Sequence, residues 1–351
     1  MIKKTILLAA ATLIALCSVK PVVAARDYIS VVGSSTVYPF ATVVAERFGQ
    51  ITDHSTPKIE ATGSGGGLKL FCQGVGDEHP DIVNASRAIK NSEIRMCREN
   101  GVKEIVEVKI GYDGVVLANS RKAPVFKLSR REIFLALAKK VPEPSGNEEL
   151  VKNPYKKWQE IDPDLPDKKI EVYGPPPTSG TRDAFAELVM EVGANTFPWI
   201  EKLEDEDENR WERICHTMRE DGHFIQAGEN DNLVVQKVDG NPDALGIFGY
   251  SFLDQNYGRI HGAVIEGVEP SFENISDGNY PVSRSLYFYV KKAHVEFIPG
   301  LKDYLRSWSQ PATWGEEGVL SNRGLVPMPP AEREKMRKRI NQLIPLSTQA
   351  D

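Results

Sequence analysis

Three loops rich in serine, threonine and glycine each lie between a β-branched run and a segment of helical spacing, and this repeated junction restricts the chain to a layered α/β fold. The loops are Gly33-Ser34-Ser35-Thr36-Val37, Thr62-Gly63-Ser64-Gly65-Gly66-Gly67 and Thr178-Ser179-Gly180-Thr181-Arg182. Strand-like runs at 28–32, 58–61 and 169–173 precede them. After the first loop, Phe40, Val43, Val44 and Phe48 recur at helical intervals. Helices are likewise expected to begin at 68–73 and to run over 182–192. Further strands are expected at 81–85, 245–250 and 286–290, and a pair at 105–110 and 115–118 broken at Gly111. Residues 129–139 read as a helix with Ser129 as N-cap and Glu132 closing a capping box. The tail at 331–343 reads as a charged amphipathic helix. Strands alternating with helices argue for a mainly parallel sheet flanked by helices.

Such junctions suit an anion. The first backbone N–H groups of a helix have no partner within it, and the peptide dipoles sum to about half a positive charge there. An oxyanion at that end meets both. Serine and threonine hydroxyls donate without adding charge, and glycine admits the ligand to the bare backbone. Each loop alone is explained as well by ordinary N-capping. The Gly65-Gly66-Gly67 run is not, since glycine weakens a helix by about 1 kcal/mol per residue. Asn230-Asp231-Asn232 reads mainly as a cap for a further helix.

Residues 1–25 read as an export signal. Lys3 and Lys4 precede an apolar stretch too short to span a bilayer, and Ala24 and Ala25 suit cleavage, leaving Arg26 first. Leu16 before Cys17 argues against a lipid anchor. No later run reaches the roughly 18 apolar residues of a membrane span. Loss of Lys3, Lys4 and Lys20 takes the formal charge from −6 to −9. So acidic a chain is a poor nucleic-acid binder, and any anion site must be built from aimed donors. Export permits disulfides. Cys72 and Cys97 fall in neighbouring expected helices and are expected to pair, leaving Cys215; the alternative is three free buried thiols. Scattered histidines and the lack of a CxxC give no metal site. Residues 142–167 read as a surface connection anchored by Trp158, and the acidic run 201–209 as a solvated face or loop.

Other phosphate chemistry lacks its parts. There is no GxxxxGK[ST] loop, no GxGxxG in a dinucleotide context and no GxSxG elbow with a placed histidine. No nucleophile–base pair marks an exported phosphatase, the rival reading.

At these loops the sequence resembles the phosphate-binding proteins of bacterial ABC phosphate transporters, within the type II periplasmic binding protein family. The likeness is carried by 33–39, 63–69, Asn84-Ala85-Ser86-Arg87, 158–163, 177–181 and Tyr280-Pro281-Val282-Ser283. It implies two α/β domains, each a mixed, mainly parallel sheet, with a ligand cleft between them. The first would comprise 26–112 and 285–351, the second 113–284, closing as a hinge. It also implies a periplasmic monomer without cofactor that delivers inorganic phosphate to a permease. Thr36 and Val37, with Ser35 beside them, Ser64, and Ser179, Gly180 and Thr181 are the implied ligands. A related binder of sulfate, molybdate or tungstate is the alternative.

Two positions depart from the family pattern. Arg87 stands where an aspartate accepts the proton of the bound phosphate, and Pro175 stands where an arginine is usual. Arg87 is expected to supply the missing guanidinium, with Arg182 assisting unless it is a surface residue. Asp113, between Gly111 and Gly114, is expected to be the acceptor, a turn-capping role being the alternative.

Overall fold

The computed structural model describes residues 26–228 and 230–346. The expected export segment therefore lies outside the described residues. Nine strands form one mixed sheet: β1 (Ser30–Gly33), β2 (Lys58–Ala61), β3 (Ile82–Ala85), β4 (Ile105–Ser120), β5 (Val172–Gly174), β6 (Phe224–Gln226), β7 (Leu245–Gly249), β8 (Ile260–Gly262) and β9 (Ser283–Lys291). Their order is β2-β1-β3-β9-β4-β7-β5-β6, with β8 also on β4. The three strands at each end are parallel to one another: β1 with β2 and β3, and β5 with β6 and β7. The middle is antiparallel, through β9 with β3 and β4, and β7 with β4.

The long β4 joins the two ends. Its first half pairs with β9 and its second with β7. Nearly all its residues are buried, so it reads as a continuous apolar run, as strands covered on both faces do. The expected break at Gly111 does not occur. Gly111 lies within the strand at φ 155°, where a Cβ would come within 2.7 Å of the Val326 carbonyl oxygen. The ladder with β9 instead bulges beside it: Leu286 pairs with Gly111 and Tyr287 with Lys109, leaving Ile110 as the extra residue.

Helices flank the sheet: α1 (Tyr38–Ile51), α2 (Ser64–Phe71), α3 (Asn91–Glu99), α4 (Arg130–Leu137), α5 (Gly180–Phe185), α6 (Pro198–Glu206), α7 (Glu208–His216), α8 (Asp231–Gly240) and α9 (Pro330–Gln342). Ser129 caps α4 and Glu132 closes the box, as its sequence dictates. The expected single helix over 182–192 is not uniform. It passes from α5 into a π-helical stretch, Ala186–Glu191, and then one more α turn. The acidic run is the exposed face of α6 and α7. Trp158 is fully buried and packs edge-on against Phe126, fixing the long connection.

Cys72 and Cys97 are disulfide-bonded, tying α2 to α3 beneath Val32, Leu68, Phe71 and Val83. Cys215 is free and buried, and desolvation pushes its thiol up to about 12. Among the described residues no helix is long and apolar enough to cross a membrane.

Candidate functional site

The three loops meet at one end of the parallel strands. α2 begins at Ser64, four residues earlier than its apolar spacing suggests, so the glycine run forms its first turn. The run has two uses. A Cβ on Gly67 would lie 2.5 Å from the Cα of Gly33, so only glycine lets α2 close against β1. Gly65 and Gly66 face no such obstacle; their nearest neighbours would be Arg87 and Thr62, each at 3.9 Å. Packing accounts for the third glycine, while the first two present bare backbone, Gly65 beside Arg87 and Gly66 beside Thr62. The Thr62 N–H donates to the Gly33 carbonyl at 2.8 Å, joining the second loop to the first.

The third loop reaches the first across the sheet. A Cβ on Gly180 would lie 3.3 Å from the Ser35 carbonyl oxygen and 3.4 Å from the Thr36 Cα. Thr36 and Val37 are buried, and the Val37 N–H makes only a long 3.4 Å bond to Ser34 Oγ. Ser179 caps α5 by accepting from the Thr181 N–H at 3.2 Å. Ser64 Oγ accepts from the Ser86 N–H and lies 3.1 Å from Ser86 Oγ. At Ser179 the cap takes an oxygen lone pair and leaves the hydroxyl hydrogen to donate, whereas Ser64 and Ser86 share a hydroxyl hydrogen bond in which either can be the donor.

The guanidinium bonded to the first-loop hydroxyl is Arg284, which the sequence reading missed. Its Nη2 donates to Thr36 Oγ1 at 2.7 Å, its Nη1 pairs with Glu187, and its Nε lies 3.7 Å from Asp113 Oδ2. Arg284 directly follows the 280–283 motif and stands opposite Asp113 in the β9–β4 ladder. Its charge at the head of an expected strand was the only signal in the sequence. Asp113 thus belongs to the same cluster as Thr36, not to an exposed turn. Its carboxyl is held above the ordinary range, chiefly by burial and with Glu187 adding to it, against the pull of Arg284.

The two arginines that the sequence led us to expect are differently placed. Arg87 stands at the second loop, but both its Nη atoms bind Glu93, at 2.9 and 2.7 Å. Arg182 turns away from the loops. Its Nη1 donates to the Pro175 carbonyl at 3.3 Å, and its guanidinium covers Phe224 in a separate cavity that includes His216 and Gln226. Burial lowers Arg182 to about 10. Asn230 caps α8 by accepting from the Asn232 N–H, which is the capping reading of that segment. No group of three or more potential metal ligands occurs among the described residues.

A family model described as a PBP superfamily domain matches residues 18–307. Protein SphX of Synechococcus elongatus is 28% identical over 87% of this chain and 79% of its own length. The phosphate-binding protein PstS of Staphylococcus saprophyticus is 26% identical over 91% of this chain and 86% of its own. The crystal structure of a possible phosphate binding protein from Planctomyces limnophilus superposes with a TM-score of 0.70 at 25% identity, covering 90% of this chain and 98% of that one.

Proposed function

The chain belongs to the PBP superfamily, and from that premise we propose that it binds inorganic phosphate and delivers it to an ABC permease of the inner membrane. The observation that carries this reading is the contact of Gly180 with Ser35 and Thr36, two helix starts brought together from opposite ends of one sheet. An oxyanion between them would take hydroxyl hydrogens from Thr36, Ser64 and Ser179. The backbone N–H groups of Val37 and Gly180 and the Thr181 hydroxyl would add to these. The likeness to PstS, a phosphate-binding protein, and to the possible phosphate binding protein of Planctomyces supports phosphate as the anion.

Asp113 gives that identity a physical basis. Sulfate and phosphate have the same shape, but only hydrogen phosphate carries a proton to donate. A buried carboxylate facing sulfate would be unpaired and repelled, which sites of this kind use to discriminate strongly. A carboxylate whose proton affinity is raised by burial is a better acceptor for that proton.

The division into 26–112 with 285–351 and 113–284 remains our reading of the two lobes. It is supported by β4 and β9, which pair as they pass between the two parallel ends. Closure would press Gly180 toward Thr36. The protein acts in the periplasm as a monomer and performs no chemistry on its ligand. Purified, phosphate-stripped protein is expected to gain thermal stability with phosphate in proportion to its logarithmic concentration and to leave a phosphate ester intact. No stabilisation by phosphate, or steady hydrolysis of the ester, would refute this function.

A further inference from the structure

Two carboxylates face one guanidinium at the anion loops, and this imbalance carries an inference that rests on the oxyanion-binding function. Arg284 touches Thr36, Glu187 and Asp113 at once. The two acids are not alike. The Asp113 side chain is 13% exposed and fixed in the ladder opposite Arg284, whereas that of Glu187 is 42% exposed. Glu187 stands in the π-helical stretch directly after α5, the helix that begins at Gly180. Its charge is felt at Arg87 across the cleft as well as at Asp113, Glu191 and His216.

An oxyanion at the Thr36 hydroxyl would lie beside the Arg284 guanidinium and therefore beside the Glu187 carboxylate. Like charges that close repel in a partly buried site, and one guanidinium cannot serve three anions equally. Asp113 has no freedom to leave, while Glu187 has solvent to turn into. Thr36 is compatible with either partner, because it accepts from Arg284 at oxygen and keeps its hydrogen for the ligand.

We propose that Glu187 is a built-in competitor for the oxyanion. Arg284 alternates between the Glu187 carboxylate and the bound anion, so Glu187 lowers affinity and eases release. Arg284 is the guanidinium that this chain uses in place of the one missing at Pro175.

The test is calorimetric titration of phosphate into the wild type, Glu187→Gln, Arg284→Gln and the double variant, with circular dichroism and melting curves confirming each fold. Glu187→Gln is expected to bind about tenfold tighter and Arg284→Gln about a hundredfold weaker. The double variant should match Arg284→Gln alone, since without the guanidinium there is nothing to compete for. Glu187→Ser, which cannot reach Arg284, should also tighten binding and guards against a new hydrogen bond from glutamine. Equal or weaker binding by both Glu187 variants would overturn the competitor. A wild type that binds no oxyanion would overturn the proposed function itself, a result distinct from normal wild-type binding with unresponsive Glu187 variants.

Discussion

Gly180 opens α5 so close to the first loop that a Cβ there would stand 3.4 Å from the Thr36 Cα, with the Ser35 carbonyl oxygen at 3.3 Å. Both neighbours are backbone and cannot swing aside as a side chain would. Gly180→Ala must therefore hold the two loops a few tenths of an ångström apart. Helix propensity favours alanine at this position, so the fold itself should not suffer. The expected outcome is an unchanged or slightly raised Tm with phosphate affinity about tenfold lower, since donors shared between two loops must hold one anion at once. Calorimetry beside a melting curve separates the two effects.

Arg87 and Arg284 make opposite predictions from similar chemistry. Glu93 holds Arg87 through both carboxylate oxygens, which raises the guanidinium's proton affinity and keeps the Glu93 carboxyl below the ordinary range. Its charge at the cleft is largely neutralised. Arg87→Ala is expected to lower phosphate affinity by about threefold or less, a loss that shrinks with added salt as an exposed charge effect should. A loss as large as that of Arg284→Gln would return Arg87 to the role its sequence position suggests.

The contrast marks what the sequence reveals and what it hides. Local features are legible because their physics is local. Ser129 and Glu132 are three residues apart, β2 falls where its residues suggest, and Trp158 is buried as an aromatic anchor of its connection. The three loops are legible as helix starts because serine, threonine and glycine gather there locally, although only Ser179 caps its helix with a side-chain oxygen. The grouping of Arg284 with Thr36 is not, since 248 residues separate them and only the ladder of β9 on β4 brings them together. Gly111 misleads for a related reason. Its positive φ serves close packing against Val326 within a strand, and a sequence does not distinguish that need from a break.

The disulfide should contribute to the fold and not to binding. Cys72 and Cys97 close a loop of sequence separation 25 around the smaller core cluster. Removing a cross-link of that span costs about 3 kcal/mol in the chain-entropy account. The Cys72→Ser/Cys97→Ser double variant is expected to unfold at correspondingly lower denaturant while binding phosphate normally when folded. Equal denaturation midpoints for the two proteins would show that the cross-link adds nothing.

Asp231 supplies a pH dependence of stability. Burial raises its carboxyl from 3.8 to about 6, against a backbone hydrogen bond from Gly249. An acid with a raised folded value binds its proton more tightly when folded than when unfolded. Stability therefore falls as pH climbs between 3.8 and about 6, and the penalty stays in full above that window. Asp231→Asn removes the buried charge and should stabilise the protein by about 1 kcal/mol at neutral pH, with no gain near pH 4. Denaturant melts at the two pH values read this directly; an equal gain at both would exclude titration as the cause.

The proposed selectivity for phosphate comes from a buried carboxylate beside the converging helix starts that hold the oxyanion. It is tested most directly by titrating phosphate and sulfate in parallel into the wild type and Asp113→Asn, from about pH 5 to about pH 9, a range that brackets the second ionisation of phosphate. The wild type is expected to bind phosphate tightly and sulfate at least about a hundredfold more weakly, and Asp113→Asn to lose most of that difference by gaining sulfate. Equal binding of the two anions by the wild type, or a preference for phosphate that survives Asp113→Asn intact, would contradict the account.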